Sequence, residues 1–431
     1  MKYVKTKIKK PTRRGVIWLG QTCNLRCYFC YFADRIKAKN HPEHPFFSIE
    51  KAKEICKIQR EVFNLNSIDI QGGEPTIYPY IFELLEYCNQ IKLKPTLITN
   101  ALKLSDYSFV EKLKNCVYDL LISIQGIEDQ YDKVVQVKGA FKRHVAGIEN
   151  AAAAGISLRA NLVLTLEILE KLEEIVNKLL LPFNFSIINF LGYNDWGDQD
   201  KKGFQKSYDL IIHCLLPIID ELENKGKEVN IRFLPFCLFP EKYRKNIQNS
   251  KQKIYDIHEW DLSTRLWIDR APQRRAEDLT EPVKLFWFFL DRIFKRKKFK
   301  YIVSLCSSLI FRKFKKRYNF REEYFYLKPI EKLIIDWYRF PLTFKMFDKN
   351  FTRVECFYFD ITNISNINIK LKNKCDKCDI NFICDGVHRS VINHWEPKPV
   401  KLGEKIYDPN YYSKYQYKLI EEIETWYFED V

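Results

Sequence analysis

Between about residue 14 and residue 235, short apolar runs alternate with stretches whose apolar positions recur every three or four residues. The short runs predict strands at GVIWLG (15–20), SIDIQ (67–71), PTLIT (95–99), DLLISIQ (119–125), LRANLVLT (158–165) and FSIINFLG (185–192). A helical pattern follows each of them. After the fifth, Ile168, Leu172, Ile175 and Leu179 share one face and Glu167, Lys171, Glu174 and Lys178 the other, as in a helix covering one side of a sheet. Strands alternating with helices predict βα units and a parallel sheet. A further extended run, VNIRFLPFC (229–237), ends the periodic region, and beyond about residue 240 aromatic, basic helices are expected through about residue 350. Residues 351 to 400 show little helical periodicity, and an amphipathic tail follows at 411–428. The expected organisation is a core of residues 1–240, a basic aromatic helical insertion at 241–350 and a small lobe with a terminal helix at 351–431.

The chemistry concentrates at the ends of the predicted strands. Cys23, Cys27 and Cys30, in QTCNLRCYFC, follow the first strand directly, on the edge where parallel α/β sheets place their ligands. Structural zinc takes four ligands, whereas a cubane iron–sulfur cluster held by three cysteines leaves one iron open. The triad therefore reads as an open metal site; a zinc loop completed from a distance, or plain surface cysteines, are the alternatives. The second strand runs into Gly72-Gly73-Glu74-Pro75, where two glycines permit close backbone approach to a ligand and Glu74 offers an anion to an ammonium. The third strand ends at Thr99-Asn100 and the fourth at Ser123 to Gly126. Asn161, inside the fifth, is a further candidate, although a buried asparagine can equally be satisfying its sheet.

Cys23-x3-Cys27-x2-Cys30 with Phe29 before the last cysteine, followed by GGEP after a second strand, resembles the radical S-adenosylmethionine superfamily over about 150 residues. The resemblance implies a partial (β/α)6 barrel of the TIM type, open on one side. It implies a [4Fe-4S] cluster on Cys23, Cys27 and Cys30 whose open iron takes the amino and carboxylate groups of S-adenosylmethionine. Reductive cleavage of the cofactor then gives a 5′-deoxyadenosyl radical that abstracts hydrogen from a substrate. Phe29, Gly72, Gly73, Glu74, Thr99, Asn100, Ser123 and Asn161 become the expected cofactor contacts. A small electron donor of the flavodoxin or ferredoxin type becomes the expected redox partner.

A second set, Cys375-x2-Cys378-x5-Cys384, has a candidate fourth member in Cys237, directly after the last extended run, with Cys356 as its competitor. It resembles the cysteine-rich C-terminal extensions of the SPASM type, which carry auxiliary iron–sulfur clusters. Fewer cysteines than the full SPASM pattern imply one auxiliary [4Fe-4S] cluster rather than two. Structural zinc suits the Cys375-x2-Cys378 pair equally well on spacing. Cys356, or one of the C-terminal cysteines, is also the candidate catalytic thiol for returning hydrogen to a Cα. The segment YDIHEW (255–260) reads as irregular, either lining a substrate cavity or serving as a packed connector. Cys56, Cys88, Cys116, Cys214 and Cys306 fall in helical runs and are read as core residues.

Charge narrows the partners. Lys and Arg number 71 against 55 Asp and Glu, a net +16, which favours anionic partners. From Asp291 to Tyr318 there are eleven basic residues and one acidic, so this segment alone carries about +10. The surrounding stretch 284–320 suits a membrane surface, an acidic peptide or phosphates, or simply a helical cap with a solvated basic face. No secretory signal and no span-length apolar run is present, so a cytoplasmic location is expected. Thirteen cysteines in such a chain then favour metal or catalysis over disulfides. The leading expectation is modification of a ribosomally made peptide by epimerisation or cross-linking, with the basic segment holding an acidic leader. Synthesis of a small molecule, such as a sugar nucleotide or antibiotic precursor, is the alternative, RNA modification comes third, and a non-enzymatic iron–sulfur protein is the outside class.

Overall fold

The computed structural model describes residues 8–9, 14–20, 22–30, 44–61, 65–193, 208–249, 257–258, 368–388, 391, 395–406, 411–412 and 425–426. Cys306, Cys356 and the basic stretch 284–320 lie outside the described residues. Seven full strands run in chain order: β1 (Arg14–Trp18), β2 (Ser67–Gln71), β3 (Lys94–Thr99), β4 (Asp119–Ile124), β5 (Leu158–Val163), β6 (Ile187–Leu191) and β7 (Glu228–Arg232). Two short edge strands complete the sheet, β8 (Ile247–Gln248) beside β7 and β9 (Ile257–His258) beside β1, and every neighbour pair is parallel. The sheet curls into a partial barrel of the TIM type. Two details differ from the sequence reading. The run at 229–237 supplies a seventh barrel strand instead of merely ending the periodic region, and Ile257–His258, read as irregular, pairs with Gly15 and Val16.

Alternation along each strand explains the layering. Ile68 and Ile70, Leu120, Ile122 and Ile124, Leu158, Ala160 and Leu162, Ile188 and Phe190, and Val229 and Ile231 enter one apolar core with the surrounding helices. After β5 the covering segment is built from α-helical turns at Leu166–Glu170 and Leu172–Ile175 and a π turn at Val176–Leu180, and it buries Ile168, Leu172, Ile175 and Leu179 as predicted. The intervening strand positions line the concave side, and many are polar. Register places Asp69 beside Thr96 and Thr96 beside Asp119, while Ser123, Asn161, Asn189 and Asn230 form a row across four strands.

Near the amino ends of the strands, the concave side is closed by buried ion pairs. Arg14 Nη1 lies 3.2 Å from Asp69 Oδ2, and Arg159 meets Asp119 through Nε to Oδ2 at 2.6 Å and Nη2 to Oδ1 at 2.9 Å. Thr96 also donates to Asp119. Removing one member strands the other charge in a dry interior, which costs about 3 to 5 kcal/mol. Asp119→Ala is therefore expected to lower stability by that amount, whereas Asp119→Leu/Arg159→Met loses far less. Urea midpoints of the two variants check this, and equal losses would mean that the stranded charge is not the cause.

Helix α8 (Tyr208–Asn224; α1 to α7 are taken as the helices Ile49–Glu61, Ile81–Gln90, Tyr107–Leu113, Glu128–Val135, Ala140–Ala153, Leu166–Glu170 and Leu172–Ile175) leads into β7 and receives the C-terminal residues. There, α9 (Lys372–Cys375) lies between β10 (Asn368–Ile369) and β11 (Val387–His388), which pair antiparallel. The backbone N–H of His388 donates to Tyr208 Oη at 3.0 Å, and Trp395 packs edge-on to Tyr208. Ile380, Ile383, Val387, Val391, Val400 and Ile406 join the core of the barrel. Among the described residues, no helix is long and apolar enough to cross a membrane.

Candidate functional site

The loop carrying Cys23, Cys27 and Cys30 leaves β1 and docks on the end of α4. The N–H of Arg26 donates to Val135 O at 2.9 Å and that of Tyr28 to Val134 O at 3.4 Å, while Cys30 N–H closes a turn on Cys27 O at 3.1 Å. Cys23, Cys27, Tyr28 and Phe29 pack against an apolar group that includes Leu25, Leu102 and Tyr131; Cys30 instead packs against Val16 and Trp18. All three thiols are half-buried. Burial first, then the charge of Glu74, pushes the Cys23 thiol up to about 12. Burial, then Cys30 and Cys23, raises Cys27 as well. Thiols raised in this way stay protonated near neutral pH unless a bound cation displaces their protons.

The Gly72-Gly73-Glu74 turn is bonded to this loop, with Gly73 N–H to Gly20 O at 3.1 Å and Glu74 N–H to Thr22 O at 2.9 Å. A Cβ on Gly73 would lie 1.9 Å from Thr22 O, so this glycine is needed for the approach of one backbone to another. The sequence reading assigned that closeness to a ligand. Glu74 is 2% exposed. Its Oε1 accepts from Thr76 Oγ1 and Thr99 Oγ1, each at 2.6 Å, and its Oε2 from Asn100 N–H at 2.8 Å. Burial raises its pKa, and these donors oppose the rise. The anion expected to meet an ammonium is thus engaged by its own neighbours and locks two strand ends together.

Asn100 extends the lock, donating from Nδ2 to Asn24 Oδ1 at 2.7 Å, inside the cysteine loop. Its carbonyl meets Nδ1 of the buried His144, whose pKa burial pushes down to about 4. His144 stacks on Tyr131 with ring centroids 4.8 Å apart. Ser123 and Asn161 are half-buried neighbours on β4 and β5. Sequence reasoning missed the continuation of their row, where Asn230 Nδ2 donates to Asn189 Oδ1 at 3.3 Å. Its signal was a lone asparagine at an inward position of an otherwise apolar strand. Also missed was Tyr28, whose hydroxyl donates to Glu167 Oε2 at 2.7 Å and so connects the cysteine loop to α6.

Cys237, in the turn after β7, lines one pocket with Cys375, Cys378 and Cys384. Burial raises the Cys237 thiol, followed by the charges of Cys384, Cys378 and Cys375. Burial likewise pushes Cys384 up to about 11. Backbone N–H groups already point at two of the sulfurs, Val400 at Cys378 Sγ (3.3 Å) and Gly386 at Cys384 Sγ (3.4 Å). Cys56 and Cys88, by contrast, are fully buried core residues, as expected.

Residues 19–179 match the family model of the Radical SAM superfamily. Among curated relatives, the chain is 26% identical to a probable GTP 3′,8-cyclase of Sulfurisphaera tokodaii, over 37% of this chain and 50% of that protein. It is 30% identical to the Fe-coproporphyrin III synthase of Methanosarcina barkeri, over 36% of this chain and 37% of that one. It is 27% identical to the mycofactocin maturase MftC of Mycolicibacterium smegmatis, over 36% and 38%. The chain thus spans half or less of the length of these relatives. Among solved structures, SuiB of Streptococcus suis bound to S-adenosylmethionine is 25% identical, with 51% of this chain and 50% of that chain covered at a TM-score of 0.42.

Proposed function

We propose, from the premise that residues 19–179 are a Radical SAM domain, that this enzyme carries two iron–sulfur clusters and modifies a peptide. Cys23, Cys27 and Cys30 would hold a [4Fe-4S] cluster with an open iron, and Cys237, Cys375, Cys378 and Cys384 would hold a second. With S-adenosylmethionine bound, the first cluster would supply the electron that cleaves it to methionine and a 5′-deoxyadenosyl radical able to take hydrogen from the substrate. The chain's own part is positional. Glu74, Thr99, Asn100 and Asn24 fix the cysteine loop against the strand ends. Phe29, Gly72, Gly73, Thr99, Asn100, Ser123 and Asn161 are the proposed cofactor contacts, and Asn189 and Asn230 extend the polar row along the sheet. A small donor of the flavodoxin or ferredoxin type would deliver the electron.

The observation that carries the two-cluster reading is the convergence of four thiols, from distant parts of the chain, on one pocket. The peptide substrate is supported by the likeness to a maturase and by the net charge of +16, suited to an acidic leader. The likeness to a GTP cyclase supports the second reading, a small anionic substrate.

Under strong reductant the anaerobic enzyme is expected to convert S-adenosylmethionine to 5′-deoxyadenosine, and Cys27→Ala to form none. Deuterium supplied at the Cα positions of acidic peptides should appear in the 5′-deoxyadenosine. Transfer from a deuterated nucleotide but from no peptide would replace the peptide reading by the small-molecule one.

A further inference from the structure

Helix α4 supplies more to the cysteine loop than its two carbonyls. Tyr131, Val134 and Val135 occupy one face of it, and this face packs under Leu25 together with Cys23, Cys27 and Phe29. Tyr131 is 0% exposed. Among the described residues its hydroxyl has no hydrogen-bond partner, although the ring is fixed by stacking on His144 and by a tilted contact with Phe141 at 5.8 Å. A hydroxyl buried without a partner forfeits its hydration, and native proteins keep few of them. Apolar neighbours give no account of it, because phenylalanine would fill the same volume without that loss.

The side of the molecule it addresses is the cysteine loop. Cys23 and Cys27 pack against the apolar cluster to which Tyr131 belongs, and Cys27, Glu74, Asp132 and Cys23 are the charged groups that bear on its hydroxyl. Glu74 is not a free acceptor, since Thr76, Thr99 and Asn100 already donate to it. Asp132 is likewise engaged, by the N–H groups of Gly139 and Phe141, and the sulfurs of Cys23 and Cys27, packed on the same apolar cluster, become strong acceptors when the thiols are metal-bound thiolates.

We propose that Tyr131 donates a hydrogen bond to a sulfur of the cluster held by Cys23, Cys27 and Cys30, and that it thereby raises the reduction potential of that cluster. The proposal rests on the cluster reading above. A donor aimed at a cluster sulfur stabilises the reduced, more negative state over the oxidised one. No bond is made or broken in the process, and Tyr131 stays protonated. It is a positioning residue for charge and touches neither substrate nor the transferred hydrogen.

The test is Tyr131→Phe in the full chain, reconstituted with iron and sulfide without oxygen and titrated electrochemically without S-adenosylmethionine. The first cluster is identified as the one whose electron paramagnetic resonance signal changes when the cofactor is then added. The expected result is unchanged iron content and a reduced-to-oxidised ratio about tenfold lower at fixed potential, which is about 59 mV for one electron. An unchanged potential in a fully loaded variant overturns the proposal, including the case where affinity for S-adenosylmethionine falls and the hydroxyl serves the cofactor instead. If the phenylalanine variant loses iron, 3-fluorotyrosine at position 131 decides: a better donor must raise the potential, and no rise overturns the proposal. Wild-type protein that takes up no iron on the first triad would fail the cluster reading itself, a result distinct from a loaded cluster with an unmoved potential.

Discussion

Wild-type protein reconstituted without oxygen is expected to hold about eight irons per chain, and the Cys375→Ala/Cys378→Ala/Cys384→Ala variant about four. The difference follows from the location of the two thiol sets. One lies on a loop fastened to α4 and to the turn after β2; the other surrounds a pocket between the turn after β7 and the C-terminal residues. No ligand is shared, so emptying one should leave the other loaded. The variant's remaining iron should still respond to S-adenosylmethionine. About four irons in both proteins, with one zinc in the wild type, would remove the second cluster and make the C-terminal site structural.

Gly73→Ala is expected to empty the first site and spare the second, leaving about four irons and no formation of 5′-deoxyadenosine. The added methyl would meet the carbonyl of Thr22 at 1.9 Å and the N–H of Cys23 at 2.9 Å. These are backbone atoms that no rotamer change can move aside. The turn must shift away from the cysteine loop and break its bonds from Gly73 N–H to Gly20 O and from Glu74 N–H to Thr22 O. Gly155→Ala is the matched control: its φ of +74° also disfavours a side chain, but nothing lies within 4 Å of the new methyl. It should lose modest stability and keep both sites. Iron analysis and circular dichroism separate the two effects, and a fully loaded Gly73→Ala variant would mean that the contact does not position the cysteines.

Much of this architecture was readable from residue order because alternation is a local signal. The strand SIDIQ was predicted at the bounds it takes, since every second residue is apolar and a turn follows. The helical face of Ile168, Leu172, Ile175 and Leu179 is equally local. The seventh strand was harder because inward Asn230 and Arg232 break up a short run, and strands of two residues such as Ile257–His258 exist only through their neighbours. At the candidate site, residue type was legible but direction was not. Nothing in GGEP tells whether its carboxylate points toward a ligand or, as here, back into Thr76, Thr99 and Asn100. The convergence of Cys237 with the C-terminal cysteines was foreseeable as a ligand count. The buried hydroxyl of Tyr131 left no trace in the pattern, because an aromatic on the inner face of a helix usually signals packing alone.

The pocket lined by Cys237 together with Cys375, Cys378 and Cys384 also has a bearing on biosynthesis. Translation delivers Cys237 well before the other three, so a ribosome-bound chain can complete its barrel strands while this pocket still lacks most of its walls. The cysteine loop after β1 is under no such delay, since every group that fastens it belongs to residues made earlier. The two sets of thiols are therefore completed at different times, and a chain truncated after the barrel would retain its first loop with a lone thiol at position 237.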